Sequence, residues 1–271
     1  MSIPLFWWSS KQIYGTEPEN YGDLMSKYLV EKIAVSATKW VQPKKMKWYQ
    51  FNKKNYLVIG SILAHATKHS IVWGSGIINK EANVAPATFL AVRGPETRKR
   101  MIALGYNCPE VYGDPGLLMP RYYNPTIEKK AVYGIIPHYV DYALVREWYK
   151  NDESVKVINL RTNDVEATTR EIMACENIIS SSLHGLIISH AYRIPAVWVQ
   201  FSDKLYGDNI KFKDYFDSVE IPNYKATFIS DKICVEEMGN LINAKTNLPE
   251  EDVIINLQNG LITACPFFDL D

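Results

Sequence analysis

Short apolar runs recur along the chain, and most are closed by a turn containing glycine or proline. Leu5 to Ser9 reads as a first strand, followed by a polar loop from Lys11 to Asn20 with Gly15 and Pro18 in it. In NYGDLMSKYLVEKIA, Leu24, Tyr28, Leu29 and Ile33 fall on one face of a helix. Asn20 is its predicted N-cap, and Asp23 lies in its first turn, where an acid suits the helix dipole. Tyr56–Ile59, Ile71–Trp73 and Thr88–Val92 read as strands. They end in Gly60-Ser61, Gly74-Ser75-Gly76 and Arg93-Gly94-Pro95-Glu96. Thr97–Leu104 has helical character up to Gly105, and Val111-Tyr112 is a short strand before Gly113-Asp114-Pro115-Gly116.

After the polar, proline-containing stretch Arg121–Lys130 a second series begins. Ala131–Ile136 and Val155–Asn159 read as strands, Asp141–Tyr149 and Glu166–Cys175 as helices. The segment 177–199, NIISSSLHGLIISHAYRIPAVWV, reads as strand, turn, helix and strand. Ser180, Ser181 and Ser182 are expected to cap the helix Leu183–Tyr192, and Pro195 stops it. Ala226–Ile229 is a candidate last strand, Cys234–Ile242 a helix, and Glu250–Gln258 a helix crossing back to the first half. Strands alternating with helices predict an α/β protein with parallel sheets covered on both faces. The expected domains are two Rossmann-like units, 1–122 and 123–248, facing a central cleft, with 249–271 packing back on the first. Ligands of such sheets bind beyond the carboxyl ends of the strands, where the polar turns cluster.

Composition narrows the partners. The chain has 271 residues, 47% hydrophobic and 22% charged, an ordinary globular balance. Thirty basic and thirty acidic residues give zero net charge, which argues against a nucleic-acid partner and makes any anion site local. Cys108, Cys175, Cys234 and Cys265 show no CxxC spacing, so reduced thiols are expected and no metal is predicted. No apolar run is long enough for a membrane span, and a cytoplasmic protein is expected. Trp7, Trp8, Trp48, Phe267 and Phe268 are candidates for contact with a membrane surface, with core burial as the alternative.

The turn at Ser180–Gly185 points the open N–H groups of a helix start beyond a strand end, an arrangement that suits an anion. His184 sits in that turn and is the candidate for proton chemistry; Gly185 is expected to let a ligand approach the backbone. His190, mid-helix, is expected to be structural. Arg93 offers a planar fork for a carboxylate or phosphate. Asp23 is the candidate base, and Lys211 and Lys213 are further candidate cations. Gly74 and Ser75 belong to a turn that permits close approach.

NYGD (20–23), WGSGI (73–77), VRGPETR (92–98), GDPGLL (113–118), IPHY (136–139) and SSSLHGLI (180–187), in this order and spacing, resemble the polysaccharide pyruvyl transferase family. The resemblance implies a glycosyltransferase-B-like fold. It implies transfer of a pyruvyl group from phosphoenolpyruvate to two hydroxyls of a sugar in a capsular or exopolysaccharide precursor, often lipid-linked, with no other cofactor. For that reaction His184 is the candidate general acid or phosphate contact, and Asp23 the candidate base. Arg93, His138, Ser182, Leu183, Lys211 and Lys213 would bind the donor; Asn20, Gly74 and Ser75 would bind the acceptor. Family members commonly carry an arginine where this chain has Ser182, so either the anion contact comes from elsewhere, with Arg93, Lys211 and Lys213 as the available substitutes, or the donor sits differently. A nucleotide-sugar glycosyltransferase and a non-catalytic sugar-binding subunit are the competing readings.

Overall fold

The computed structural model describes residues 2–47, 49, 51–245 and 247–268. The first half contains β1 (Ile3–Phe6), α1 (Ser10–Tyr14), β2 (Glu19–Asn20), α2 (Tyr21–Ala34), β3 (Thr38–Trp40), β4 (Asn55–Leu57), β5 (Ser70–Trp73), β6 (Thr88–Ala91), α3 (Pro95–Ala103) and α4 (Met119–Tyr122). Its parallel sheet has the order β3-β1-β4-β5-β6. Side chains alternate across a strand, so Leu5 and Tyr56 enter one core while Phe6 and Leu57 enter another on the opposite face. Burial of both faces is the rule for parallel sheets.

The second half contains β7 (Ala131–Ile136), α5 (Tyr142–Trp148), β8 (Val155–Val157), β9 (Arg161–Thr162), α6 (Val165–Met173), β10 (Cys175–Ser180), α7 (Leu183–Ala191), β11 (Ala196–Gln200), α8 (Ile210–Ser218), β12 (Thr227–Phe228), α9 (Val235–Asn243) and α10 (Glu251–Thr263). Its sheet, also parallel, has the order β12-β11-β10-β7-β8. The chain is therefore an α/β protein with two parallel sheets.

The halves share a core. One apolar cluster holds Leu5, Tyr56 and Trp73 together with Leu186, Ile187 and Phe216. Helix α10 crosses back: Trp73 Nε1 donates to Leu261 O at 2.8 Å, and Gln258 Nε2 donates to Leu117 O at 2.7 Å. Tyr21 on α2 and Thr169 on α6 join their hydroxyls at 2.8 Å. Strands β2 and β9 form a small antiparallel bridge between the halves.

Several segments differ from expectation; the expected strand Val111-Tyr112, for one, is only an isolated bridge from Tyr112 to Val92. The loop expected over 11–20 contains α1 and β2, because Ser9 Oγ accepts from Gln12 N and Gly15 closes the turn in the left-handed region at φ 70°. The stretch expected as a polar boundary begins with the helical turn α4. Helix α8 was hidden by its charged residues: Ile210, Phe212, Tyr215 and Phe216 are buried, and Asp214 is buried with them. Among the membrane-contact candidates, Trp7 and Phe267 are core residues, Trp8 and Phe268 are exposed, and Trp48 lies outside the described residues. Among the described residues no helix is long and apolar enough to cross a membrane.

A buried ion pair ties α8 to the first half. Arg93, just past β6, donates through Nε to Asp214 Oδ2 at 2.9 Å, and both side chains are 0% exposed. Asp214 also accepts from Thr97 N at 2.8 Å and from Thr97 Oγ1 at 2.6 Å. Removing one partner of such a pair leaves an uncompensated buried charge. Asp214→Ala should therefore cost roughly 3–5 kcal/mol of stability. Urea denaturation will measure it, and a loss below about 1 kcal/mol, the scale of an exposed pair, would show that the pair does not hold α8.

Candidate functional site

A cleft of about 720 Å³ opens between the two halves. It collects the ends of several elements: Trp8 and Ser61 from the first half, Asn20 and Asp23 at the start of α2, His138 beyond β7, Ser182, Leu183 and His184 at the start of α7, and Lys211 on α8. Such a volume is in the range that encloses a small ligand.

Helix α7 forms one wall. The three serines do not cap it as expected. Ser180 Oγ accepts from Ser182 N at 3.0 Å and donates to the carbonyls of Ile136 and Ser182. Ser181 Oγ accepts from His138 N at 2.8 Å. Ser182 occupies the cap position but makes no side-chain cap bond. The serines thus brace the turn between β7 and β10, and the first-turn N–H groups of α7 lack a serine cap. Gly185 serves the protein's own packing rather than ligand approach, because a Cβ there would lie 2.3 Å from Ser180 Oγ.

His184 is seated against α2. A Cβ on Gly22 would lie 1.9 Å from His184 Nδ1, so Gly22 in NYGD makes room for the imidazole. His184 Nε2 faces Asp114 Oδ2 at 3.9 Å, and neither atom has a hydrogen-bond partner. Asp114 is held in place because its Oδ1 accepts from Gly116 N at 2.9 Å. Buried polar atoms are normally paired, so this facing couple is a candidate for chemistry. Burial, reinforced by the charges of Lys211 and Arg93, pushes the His184 pKa down to about 3. Burial raises Asp114 to about 6, offset in part by its backbone bond from Gly116 and by Arg93.

The rest of the cleft is tuned the same way. Asp23 is half-buried, with burial first and then Glu19 raising its pKa to about 7, against the pull of Lys211. Lys211 falls to about 8 through burial and the nearby Arg93 charge, while Asp23 pulls it back up. Burial and Lys211 lower His138 to about 4, and its Nδ1 has no partner. Among the described residues Lys211 forms no ion pair. A carboxyl near 7 and an amine near 8 both exchange protons near neutral pH, which suits acid–base work.

The structure brings Asp23, Asn20, Arg93, His138, Ser182, Leu183, His184 and Lys211 to this one cleft. Asn20 Oδ1 is occupied as the cap of α2, accepting from Gly22 N at 3.0 Å. Arg93 lies at the floor with its fork already used: besides Asp214, it donates to Ser61 Oγ at 2.6 Å and Ile77 O at 2.8 Å. Gly74 and Ser75 do not reach the cleft. The space beside Gly74 is filled by the Pro115 ring, and fully buried Ser75 donates to Val58 O at 3.1 Å. Lys213 lies outside as well, paired to Glu96 and Asp217 at 2.7 Å each. His190 is buried, with Nδ1 against Tyr215 OH at 2.9 Å. Sequence reasoning assigned no role to Asp114, although GDPG was visible as a turn. The cleft-facing Trp8, Tyr14 and His65 gave no site signal either.

The fold and this cleft define a two-sheet α/β protein with its site at the strand ends. Residues 20–203 match the family described as polysaccharide pyruvyl transferase. An uncharacterized protein of Acanthamoeba polyphaga mimivirus is 30% identical over 250 residues, spanning 89% of this chain and 84% of that one. The chain belongs to the polysaccharide pyruvyl transferase family.

Two measurements check the site. Gly22→Ala should expel the His184 ring from its seat and move its NMR ring resonances while the fold persists; unmoved resonances would mean that Gly22 does not form the seat. Asp23→Asn checks the raised carboxyl. Its folded pKa, about 7, exceeds the ordinary 3.8, so the folded state keeps a proton that the unfolded chain has lost. Wild-type stability then declines as pH rises from about 4 to about 7, and the variant lacks that decline. The melting temperature of Asp23→Asn relative to wild type should therefore rise across this window and level off above it. A difference independent of pH would show an ordinary carboxyl.

Proposed function

We propose that the protein transfers the pyruvyl group of phosphoenolpyruvate to two hydroxyls of a sugar, forming a cyclic ketal and releasing phosphate. The observation that carries this reading is the convergence of the α7 N-terminus, His184, Lys211 and Asp23 on one cleft. Phosphoenolpyruvate carries a carboxylate and a phosphate, and needs N–H donors and a cation. Lys211 is a cation of the cleft with no ion pair among the described residues, as Arg161 is, and we take Lys211 to stand in for the arginine expected at Ser182 because it lies close enough to lower the pKa of both His184 and His138. Arg93 acts through its field and by holding α8. We read the two facing sheets as glycosyltransferase-B-like, with the donor on the second half and the acceptor toward the first.

In this reading His184 is neutral before the donor arrives. The bound dianion raises its affinity for a proton, and the proton passes to the methylene carbon C3. Asp23 takes the proton of the first hydroxyl, whose oxygen bonds to C2. The C2–O bond to phosphate then breaks, and its electron pair leaves with phosphate. The second hydroxyl oxygen bonds to C2 and its proton is released with phosphate. Asp114 orients the His184 ring.

Phosphoenolpyruvate at a hundredfold excess over its Kd should stabilise the protein by about 2.7 kcal/mol, seen as a raised melting temperature that Lys211→Met loses. Calorimetry in buffers of different ionisation enthalpy should show proton uptake on binding, absent in His184→Ala. A shift with a UDP-sugar but none with phosphoenolpyruvate would replace this reading by nucleotide-sugar glycosyl transfer.

A further inference from the structure

The cleft lining also holds aromatic groups that the reactions of Lys211 and His184 do not use. β1 runs out at Phe6, and the next two residues part: Trp7 is buried, while Trp8 is 36% exposed and lines the cleft. Helix α1 then carries Tyr14 to the same cleft, 6.3 Å from Trp8 between ring centroids and edge-on to it. His65 packs on the other side of Trp8 at 5.5 Å, backed by Phe6 at 4.8 Å. Burial and the charge of Lys44 hold His65 neutral at physiological pH. The result is an uncharged aromatic surface in the same cleft as Lys211.

We propose that Trp8, Tyr14 and His65 form a shelf for the pyranose ring of the acceptor, whose C–H face lies on Trp8 with its hydroxyls turned toward Asp23. This rests on the donor reading above. The occupant follows from the surface. Uncharged aromatic rings give an anion no partner, whereas a pyranose offers an apolar C–H face to stack and hydroxyls to bond beyond it. The cavity also has room beside a three-carbon donor, and ketal formation requires both substrates in one space. Asn20 and Asp23 line the same cavity, on the polar side that the hydroxyls would face.

Saturation-transfer NMR with methyl β-D-glucopyranoside and methyl β-D-galactopyranoside, in the presence of phosphoenolpyruvate, tests the shelf. At least one glycoside should receive transfer on the ring protons of one face, and open-chain sorbitol none. Trp8→Ala should weaken that binding about tenfold, and Tyr14→Ala, at a 65% exposed position, should weaken it less. Both variants should keep the wild-type thermal shift with phosphoenolpyruvate. That separates loss of the shelf from failure of the donor site, and Tyr14→Ala decides if Trp8→Ala misfolds. Undiminished transfer in the variants, no transfer to either glycoside, or binding of uridine in their place would overturn the proposal.

Discussion

The dehydrated ion pair between Arg93 and Asp214 is the constraint on which the cleft depends. Two charges removed from water cost several kcal/mol each unless nearly every hydrogen-bonding atom finds a partner. Here Asp214 takes both Thr97 donors as well as the guanidinium, and Arg93 adds Ser61 and Ile77 O. The approach is close: a Cβ on Gly94 would lie 1.9 Å from Asp214 O. Because Asp214 sits on α8, which lies between β11 and β12 of the second sheet, the pair fixes that helix to the end of β6 in the first. Lys211, one turn earlier on α8, is thereby carried into the cleft. Arg93 thus holds the cation rather than binding an anion with its own fork.

Dehydration also sets the chemistry of the groups around Lys211. His184, His138 and Asp114 are all driven toward their uncharged forms, and Asp23 and Lys211 toward pKa values near neutrality. Burial is the largest cause in each case. Lys211 adds to the lowering of both histidines, so one ammonium couples the residues around it. An anion entering this space would meet N–H dipoles and an unpaired cation in a medium that screens them weakly. Several groups here, including Nε2 of His184 and Nδ1 of His138, lack protein partners, unlike the saturated network at Arg93.

Much of this was legible in the chain. The alternation of strands and helices is local information, because apolar periodicity and turn residues act over a few positions. Asn20 as the cap of α2, the strand Ala131–Ile136 and the unit from β10 to β11 lie where the pattern puts them. The site was legible as a set of strand-end turns, since parallel sheets present those ends together. The errors have one physical origin. Ser180, Ser181, Gly185, Gly74 and Ser75 were assigned to capping or ligand approach, and each instead packs against another part of the protein, while Ser182 holds the cap position and lines the cleft. Lys213 differs from Lys211 by two positions, which turns it about 200° around a helix and places it beside Glu96 and Asp217.

By itself the sequence determined the class of fold, the order of its elements and which turns lie at strand ends, for these follow from short-range periodicity and backbone preference. Only the tertiary structure decided which polar side chains remain available. Whether Arg93 or Lys211 is consumed in packing depends on residues more than a hundred positions away in one case and on helix phase in the other. The pairing of His184 with Asp114, the seat made by Gly22 and the exposure of Trp8 on the cleft wall depend on how segments distant in the chain meet. Hydrogen-bond saturation and dehydration are properties of that meeting, not of any one segment.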